Sequence, residues 1–244
     1  MDPLTELLLC TTLAGACIPL GGLIARNERI RPQWLEQELR HFVIALGGGV
    51  LLGAVALVLV PQGNDLIGDP VLATLALLAG GIAFMGLDRL QARRQVRAPQ
   101  LAAMLADYIP ESVALGGMFA ASAGHSSDAA LLLALLIGLQ NLPEGFNSWR
   151  EMTVAQPESR SVLLRMAALV VVGPLAGLVG WYWLAAHDAV LGFILLFAAG
   201  GILYLTFQDI APQARLERQW FPPLGAVLGF GLALLGNGLI GAHG

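Results

Sequence analysis

The chain has 244 residues, of which 57% are hydrophobic and only 12% charged, with a mean hydropathy of +0.72 and a formal net charge of −4. Soluble domains carry about 25% charged residues, so half the usual charge is missing and an ordinary soluble globular domain is excluded. The net charge itself decides little, because in a membrane the distribution of charge matters more than its sum. Apolar runs of about 20 residues recur along the chain, each long enough to cross a bilayer core as a helix, and they predict a polytopic membrane protein. The opening Met1-Asp2-Pro3-Leu4-Thr5-Glu6 has no basic region and does not read as a cleaved signal peptide. Cys10 and Cys17, seven residues apart in the first apolar run, read as small packing residues.

In chain order the apolar runs fall at roughly 5–25, 41–61, 71–91, 100–122, 128–149, 162–186, 189–211 and 222–242. The 13 basic residues, all arginine, test this division. Arg26, Arg29, Arg31 and Arg40 lie between runs one and two, and Arg89, Arg93, Arg94 and Arg97 fall where run three connects to run four. Arg150, Arg160 and Arg165 follow run five, and Arg215 and Arg218 follow run seven. The remaining connectors and both termini carry none. Under the positive-inside rule this alternation predicts an all-α integral membrane protein of eight transmembrane helices with both termini outside. Residues 1–244 read as a single transmembrane domain with no long linker. Its 30 glycines, often in small-xxx-small spacing, suit close helix packing in lipid.

One short phrase occurs twice within runs four and five, as Asp107-Tyr108-Ile109-Pro110-Glu111 and Gln140-Asn141-Leu142-Pro143-Glu144, 33 residues apart. A lone carboxylate inside a membrane helix costs about 2.5–3.5 kcal/mol even on the lenient insertion scale. Asp107 and Glu111 share a helix face, as do Gln140 and Glu144, and Asn147 extends the second face. Runs four and five are antiparallel, and both motifs fall about two turns from the inner end, so they are expected to meet at similar depth. Pro110 and Pro143 each free the carbonyl four residues earlier, at Ala106 and Leu139. Facing carboxylates and amides make an oxygen-rich cage suited to a divalent cation. The rival account is an interhelical hydrogen-bond network with one carboxyl protonated. Three carboxylates and two amides in a duplicated motif favour a cation or proton path. His41, His125, His187 and His243 fall at span ends and read as interfacial residues, as do Trp149, Trp181, Tyr182, Trp183 and Trp220. Asp209, near the inner end of run seven, reads as an interfacial carboxylate, with an exit-path role as the alternative.

At these motifs the chain resembles the ZIP family of divalent-metal transporters, whose fourth and fifth spans carry H-N-x-P-E-G-like phrases. The likeness extends to Gly49–Gln62, Gly173–Gly177 and Phe197–Gln213, which are similar to the family's second, sixth and seventh spans. The resemblance implies metal site residues Asp107, Glu111, Gln140 and Glu144, with Asn141 as the remaining candidate ligand for a second metal position. The chain departs from the family pattern at Asp107 and Val58, where histidine is usual, and at Tyr108, where asparagine is usual. Gly173 stands where many bacterial members have an acid, and the arginine-rich segment 89–97 replaces a histidine-rich loop. Without imidazole or thiolate the cage is all oxygen, which broadens selectivity from Zn²⁺ towards harder ions such as Mn²⁺ or Fe²⁺.

The resemblance further implies inward transport of a divalent metal cation, zinc first with Mn, Fe or Cd as alternatives, across the cell inner membrane. It implies a homodimer, the lipid bilayer as the surrounding partner, and neither an organic cofactor nor a nucleic-acid partner. Two other readings stand beside it. One is a non-transporting membrane protein that binds or senses metal. The other is an intramembrane enzyme using the carboxylates as acid and base, which lacks a nucleophile and an oxyanion-binding arrangement, so that no enzymatic activity is expected.

Overall fold

In hydrocarbon every backbone N–H and C=O must find a partner within the protein, which leaves the apolar runs of this chain one economical solution, the α-helix. A computed structural model describes residues 2–27, 33–94, 99–122, 128–155, 159–184, 186–214 and 220–241, and among them there is no strand. Arg29, Arg31, Arg97, Arg215, Arg218, His125 and His243 lie outside the described residues.

The helices are α1 (Pro3–Asn27), α2 (Gln33–Ala54), α3 (Val60–Ile67), α4 (Pro70–Arg94), α5 (Pro99–Ala121), α6 (Asp128–Ala155), α7 (Ser159–Leu169), α8 (Val172–Leu184), α9 (Asp188–Leu205), α10 (Ala211–Gln213) and α11 (Leu224–Gly241). Two π turns, Val55–Leu59 and Thr206–Ile210, join α2 to α3 and α9 to α10 without a break. Six segments are long and apolar enough to cross a membrane, namely Pro3–Asn27, Glu38–Ile67, Pro70–Arg93, Asp128–Thr153, Arg160–Leu184 and Asp188–Gln213. The architecture is that of a multi-pass helical membrane protein. The site-bearing α5 and the shorter α11 fall outside these six.

Local chemistry explains where the observed helices depart from the apolar runs. The second run continues six residues past position 61, to Ile67, where Gly68 adopts a left-handed conformation (φ 68°) and returns its N–H to the Asn64 carbonyl at 2.9 Å. Asp69 then caps α4 through the N–H groups of Val71 and Leu72, at 2.8 and 3.0 Å. The sixth run divides at Val170-Val171 into α7 and α8. Pro174 has no N–H to offer the Val170 carbonyl, and the chain tightens there into i→i+3 bonds from Val170 and Val171 to Ala167 and Ala168. Each π turn is followed one residue later by Pro-Gln, Pro61-Gln62 and Pro212-Gln213. The missing proline N–H shifts the ladder, so that Val60 N–H reaches Val55 and Ala211 N–H reaches Thr206, one residue beyond the α-helical partner.

The helices sort into two groups by what they pack on. In one, α1 lies along α6 and against α8, and α5 lies along α8. In the other, α11 lies along α2 and α4 along α9, with α3 also on α9. The groups meet mainly where α2 crosses α6 and α5 crosses α9. Backbone-to-backbone approach through glycine holds each group. A Cβ on Gly116 would overlap the Gly177 carbonyl and one on Gly180 the Val113 carbonyl, fixing α5 to α8; Gly80 and Gly200 meet Phe197 and Leu77 in the same way between α4 and α9. The same device recurs at α1–α6 and α2–α11. Lipid tails are as apolar as leucine, so close packing of this kind, rather than hydrophobic burial, holds such helices together. The segments at the centre are α2–α3 and α6, each with 67% of its apolar window buried, against 22% for α4 at the periphery.

Gly200→Ala is therefore expected to destabilise the detergent-solubilised protein by about 1–3 kcal/mol through overpacking. Gly86→Ala, where the added methyl meets nothing within 4 Å, should leave the melting temperature unchanged or slightly raised. Thermal unfolding of the two variants beside the parent checks both.

Candidate cation site

The repeated phrases do meet. Gln140 Nε2 donates to Glu111 Oε2 at 2.7 Å, joining α6 to α5 between two fully buried side chains. Asp107 is buried beside them on α5, while Glu144, one turn along α6, is half-buried. The three carboxylates stand within electrostatic reach of one another. Both helices run unbroken through Pro110 and Pro143. Pro143 faces α2, where its ring lies 3.0 Å from the place a Cβ on Gly47 would take.

Asn141, one residue round the helix, turns towards α1 and donates from Nδ2 to the Ala14 carbonyl at 2.9 Å. Tyr108, fully buried, also reaches α1, where its hydroxyl donates to the Thr11 carbonyl at 3.2 Å. The phenol is packed so closely against α8 that a Cβ on Gly173 would overlap its oxygen, and one on Gly15 would come within 2.7 Å of it. The tyrosine and the glycine are thus a matched pair: the ring fills the space that any side chain at position 173 would need. Tyr108 and Gly173 appear in the sequence as separate departures, and only the fold shows them to be in contact.

What distinguishes this region from a satisfied hydrogen-bond network is the number of oxygens left without a partner. Asp107 Oδ1, Glu111 Oε1, Gln140 Oε1, Asn141 Oδ1, Glu144 Oε2 and Asn147 Oδ1 are all buried and accept no hydrogen bond. A buried polar atom left unpaired costs on the order of 1–3 kcal/mol, more when charged. The Ser112 and Ser148 hydroxyls are unpaired as well, but the carboxylate and amide acceptors outnumber them, and that excess calls for a cation or for protons. The donor set is oxygen only, which suits a hard divalent ion that keeps part of its water. The ligands are not drawn together as a finished coordination sphere: no group of three or more His, Cys, Asp or Glu side chains among the described residues is gathered closely enough to hold a metal ion.

Among the described residues, access to the site is from one end of the bundle. A cavity of about 820 Å³ reaches Asp107 and Glu144 from the end of the bundle where Arg40 is exposed, and Met104, Asn147, Arg150, Asp88 and Asp209 line its walls. It follows α5 before Asp107 and α6 after Glu144. On the other side of the carboxylates the same two helices present Leu115, Phe119, Leu133, Leu136 and Ile137, all buried in one continuous apolar core with Leu51 and Leu59. Near the mouth, Tyr204 of α9 donates to Asp88 Oδ2 of α4 at 2.9 Å. Sequence reasoning placed Asp209 at this end, and the cavity wall is where it stands. Arg40, Arg150 and Asp88 as lining residues had no sequence signal beyond their place at helix ends. No family model matches the chain, and no curated protein matches it significantly.

The tyrosine–glycine contact gives a direct test. Gly173→Ala should cost about 1–3 kcal/mol of stability, and in the Tyr108→Phe background, which removes the clashing hydroxyl, the same change should cost measurably less. A double-mutant cycle on thermal unfolding reads the coupling.

Proposed function

We propose that the protein is a ZIP-like transporter that carries divalent metal cations, zinc or a harder relative such as Mn²⁺ or Fe²⁺, inward across a membrane. The observation that carries this reading is the one-sided cavity that stops at a set of buried, unpaired carboxylate and amide oxygens. A path open to one side and sealed by packed side chains on the other is what one half of an alternating-access cycle requires. The arginine distribution puts the cavity mouth, with Arg40 and Arg150, on the inner side. In this reading α5 and α11 are the two further spans, both termini are outside, and the membrane is the cell inner membrane.

Asp107, Glu111, Gln140 and Glu144 replace part of the ion's water shell, with Asn141 beside them. Glu111 is held by Gln140 and is the fixed wall of the site, whereas Asp107 and Glu144 face the cavity and are the groups that hand the ion over. Movement of the α1–α5–α6–α8 group against the other, across the α2–α6 and α5–α9 contacts, would exchange the open side. The likeness to the ZIP phrases and the partition of the packing into two groups support this; a homodimer follows from the family likeness alone.

The absence of a tightly gathered ligand cluster among the described residues favours one second reading, a membrane protein that binds metal weakly or senses it without transporting it. The two readings separate in proteoliposomes loaded with purified protein and offered Zn²⁺, Mn²⁺, Cd²⁺ and Fe²⁺. Transport is expected, and Glu111→Ala and Glu144→Ala should each bring uptake down to that of empty vesicles. Binding without uptake in the parent identifies the sensor. In the same assay Asp107→His should shift preference towards zinc over manganese, since imidazole favours the softer ion; an unchanged zinc-to-manganese ratio refutes the assignment of Asp107 as a ligand.

A further inference from the structure

One buried amide in the cavity wall is left over by the four-residue cage. Gln140, Glu144, Asn147 and Glu151 follow one another along α6 at intervals of four, three and four residues, so they form a single stripe on one helix face. The stripe passes from the cage to the cavity mouth. Glu144, Asn147 and Glu151 all line the cavity, whereas Gln140 lies beyond its inner end, bonded to Glu111. Asn147 is 7% exposed, and its Oδ1 has no hydrogen-bond partner. Next to it, the Arg150 guanidinium lies over the Phe146 ring, 5.4 Å from its centre. Across the same cavity stand Asp107 and Asp209.

From these positions we propose that Asn147 is itself a cation ligand, forming with Glu144 an inner station, one helical turn from the cage, where a partly hydrated divalent ion pauses on its way to the mouth. The inference rests on the carrier reading above and adds a residue to it. Asn147 lies about 4.5 Å along the helix axis from Glu144, close enough for one ion to exchange the Glu111–Gln140 side of Glu144 for the Asn147 side without leaving Glu144. The cavity has room for the waters that complete the shell, which hard divalent ions retain readily. A neutral amide oxygen suits a station that must release its ion. A carboxylate there would add a third charge to those of Asp107 and Glu144 and hold the ion.

The test compares the parent, Asn147→Ala, Asn147→Asp and Glu111→Ala, reconstituted in lipid, by equilibrium titration with Mn²⁺ and Cd²⁺ and by uptake rate, with thermal unfolding run on each. Asn147→Ala should keep the parent's affinity within about twofold while uptake slows about fivefold to tenfold. Asn147→Asp should bind Mn²⁺ about tenfold more tightly, a change of about 1.4 kcal/mol, and also transport more slowly. Glu111→Ala should lose binding outright. If the parent binds and transports and both Asn147 variants match it, this inference is overturned while the carrier reading stands. Slowed uptake in both variants with no gain of affinity in Asn147→Asp assigns Asn147 to helix packing and likewise overturns it. A parent that binds neither ion removes the carrier reading and the inner station together.

Discussion

Carboxylates that lie inside an apolar helix bundle, within electrostatic reach of one another and with few hydrogen bonds to share, are the constraint around which this protein is arranged. Charge in such a place is tolerated only when it is neutralised by a partner, by protons or by a bound cation. Glu111 has the Gln140 amide on one oxygen and nothing on the other, and Asp107 and Glu144 each carry an unpaired oxygen as well. Everything nearby follows from keeping these groups buried yet reachable. The two helices that bear them sit at the junction of the two helix groups, and the cavity reaches them without passing beyond them.

The same two helices also explain how a polar site coexists with a stable membrane fold. On their far halves α5 and α6 present Leu115, Phe119, Leu133, Leu136 and Ile137, packed in the apolar core that seals the bundle. The strongest packing, backbone against backbone at glycines, lies within each group, whereas the contacts between groups at Gly47 and Gly117 involve the side chains of Pro143 and Leu191. Side-chain contacts of that kind slide more readily than interlocked backbones. The site therefore lies near the boundary where relative movement would cost least.

Much of this was legible in the sequence. Hydrophobic run length alone found the helical membrane architecture, and i, i+4 spacing put Gln140 and Glu111 on faces that do meet. The duplicated polar-x-x-Pro-Glu phrase located the buried oxygens. Other features lay outside the reach of pattern. The break at Val170-Val171 follows from Pro174, whose effect falls four residues upstream, within a run that looks uniformly apolar. The extension of the second run to Ile67 depends on the left-handed Gly68, which composition marks only as a polar connector. The contact between Tyr108 and Gly173 joins positions 65 residues apart, and it is a matter of shape, which a single sequence does not encode locally. The likeness of α2–α3 to α9–α10 was present as Pro61-Gln62 and Pro212-Gln213, but two dipeptides 151 residues apart are too short to announce a repeat before the π turns are seen.

Those π turns amount to single-residue insertions in otherwise continuous helices. Each residue of an α-helix advances the chain by about 100°, so the extra residue in Thr206–Ile210 sets the angular phase of all that follows it. The π turn absorbs that residue, and an all-α path through the same sequence would swing Gln213 roughly a quarter-turn away from the cavity wall it now lines. The direction in which this end of the pathway faces is therefore a counting property of the chain. Whether the extra residue is taken up in a π turn or in an α turn decides which side chains line the cavity, while the chemistry of every side chain stays unchanged.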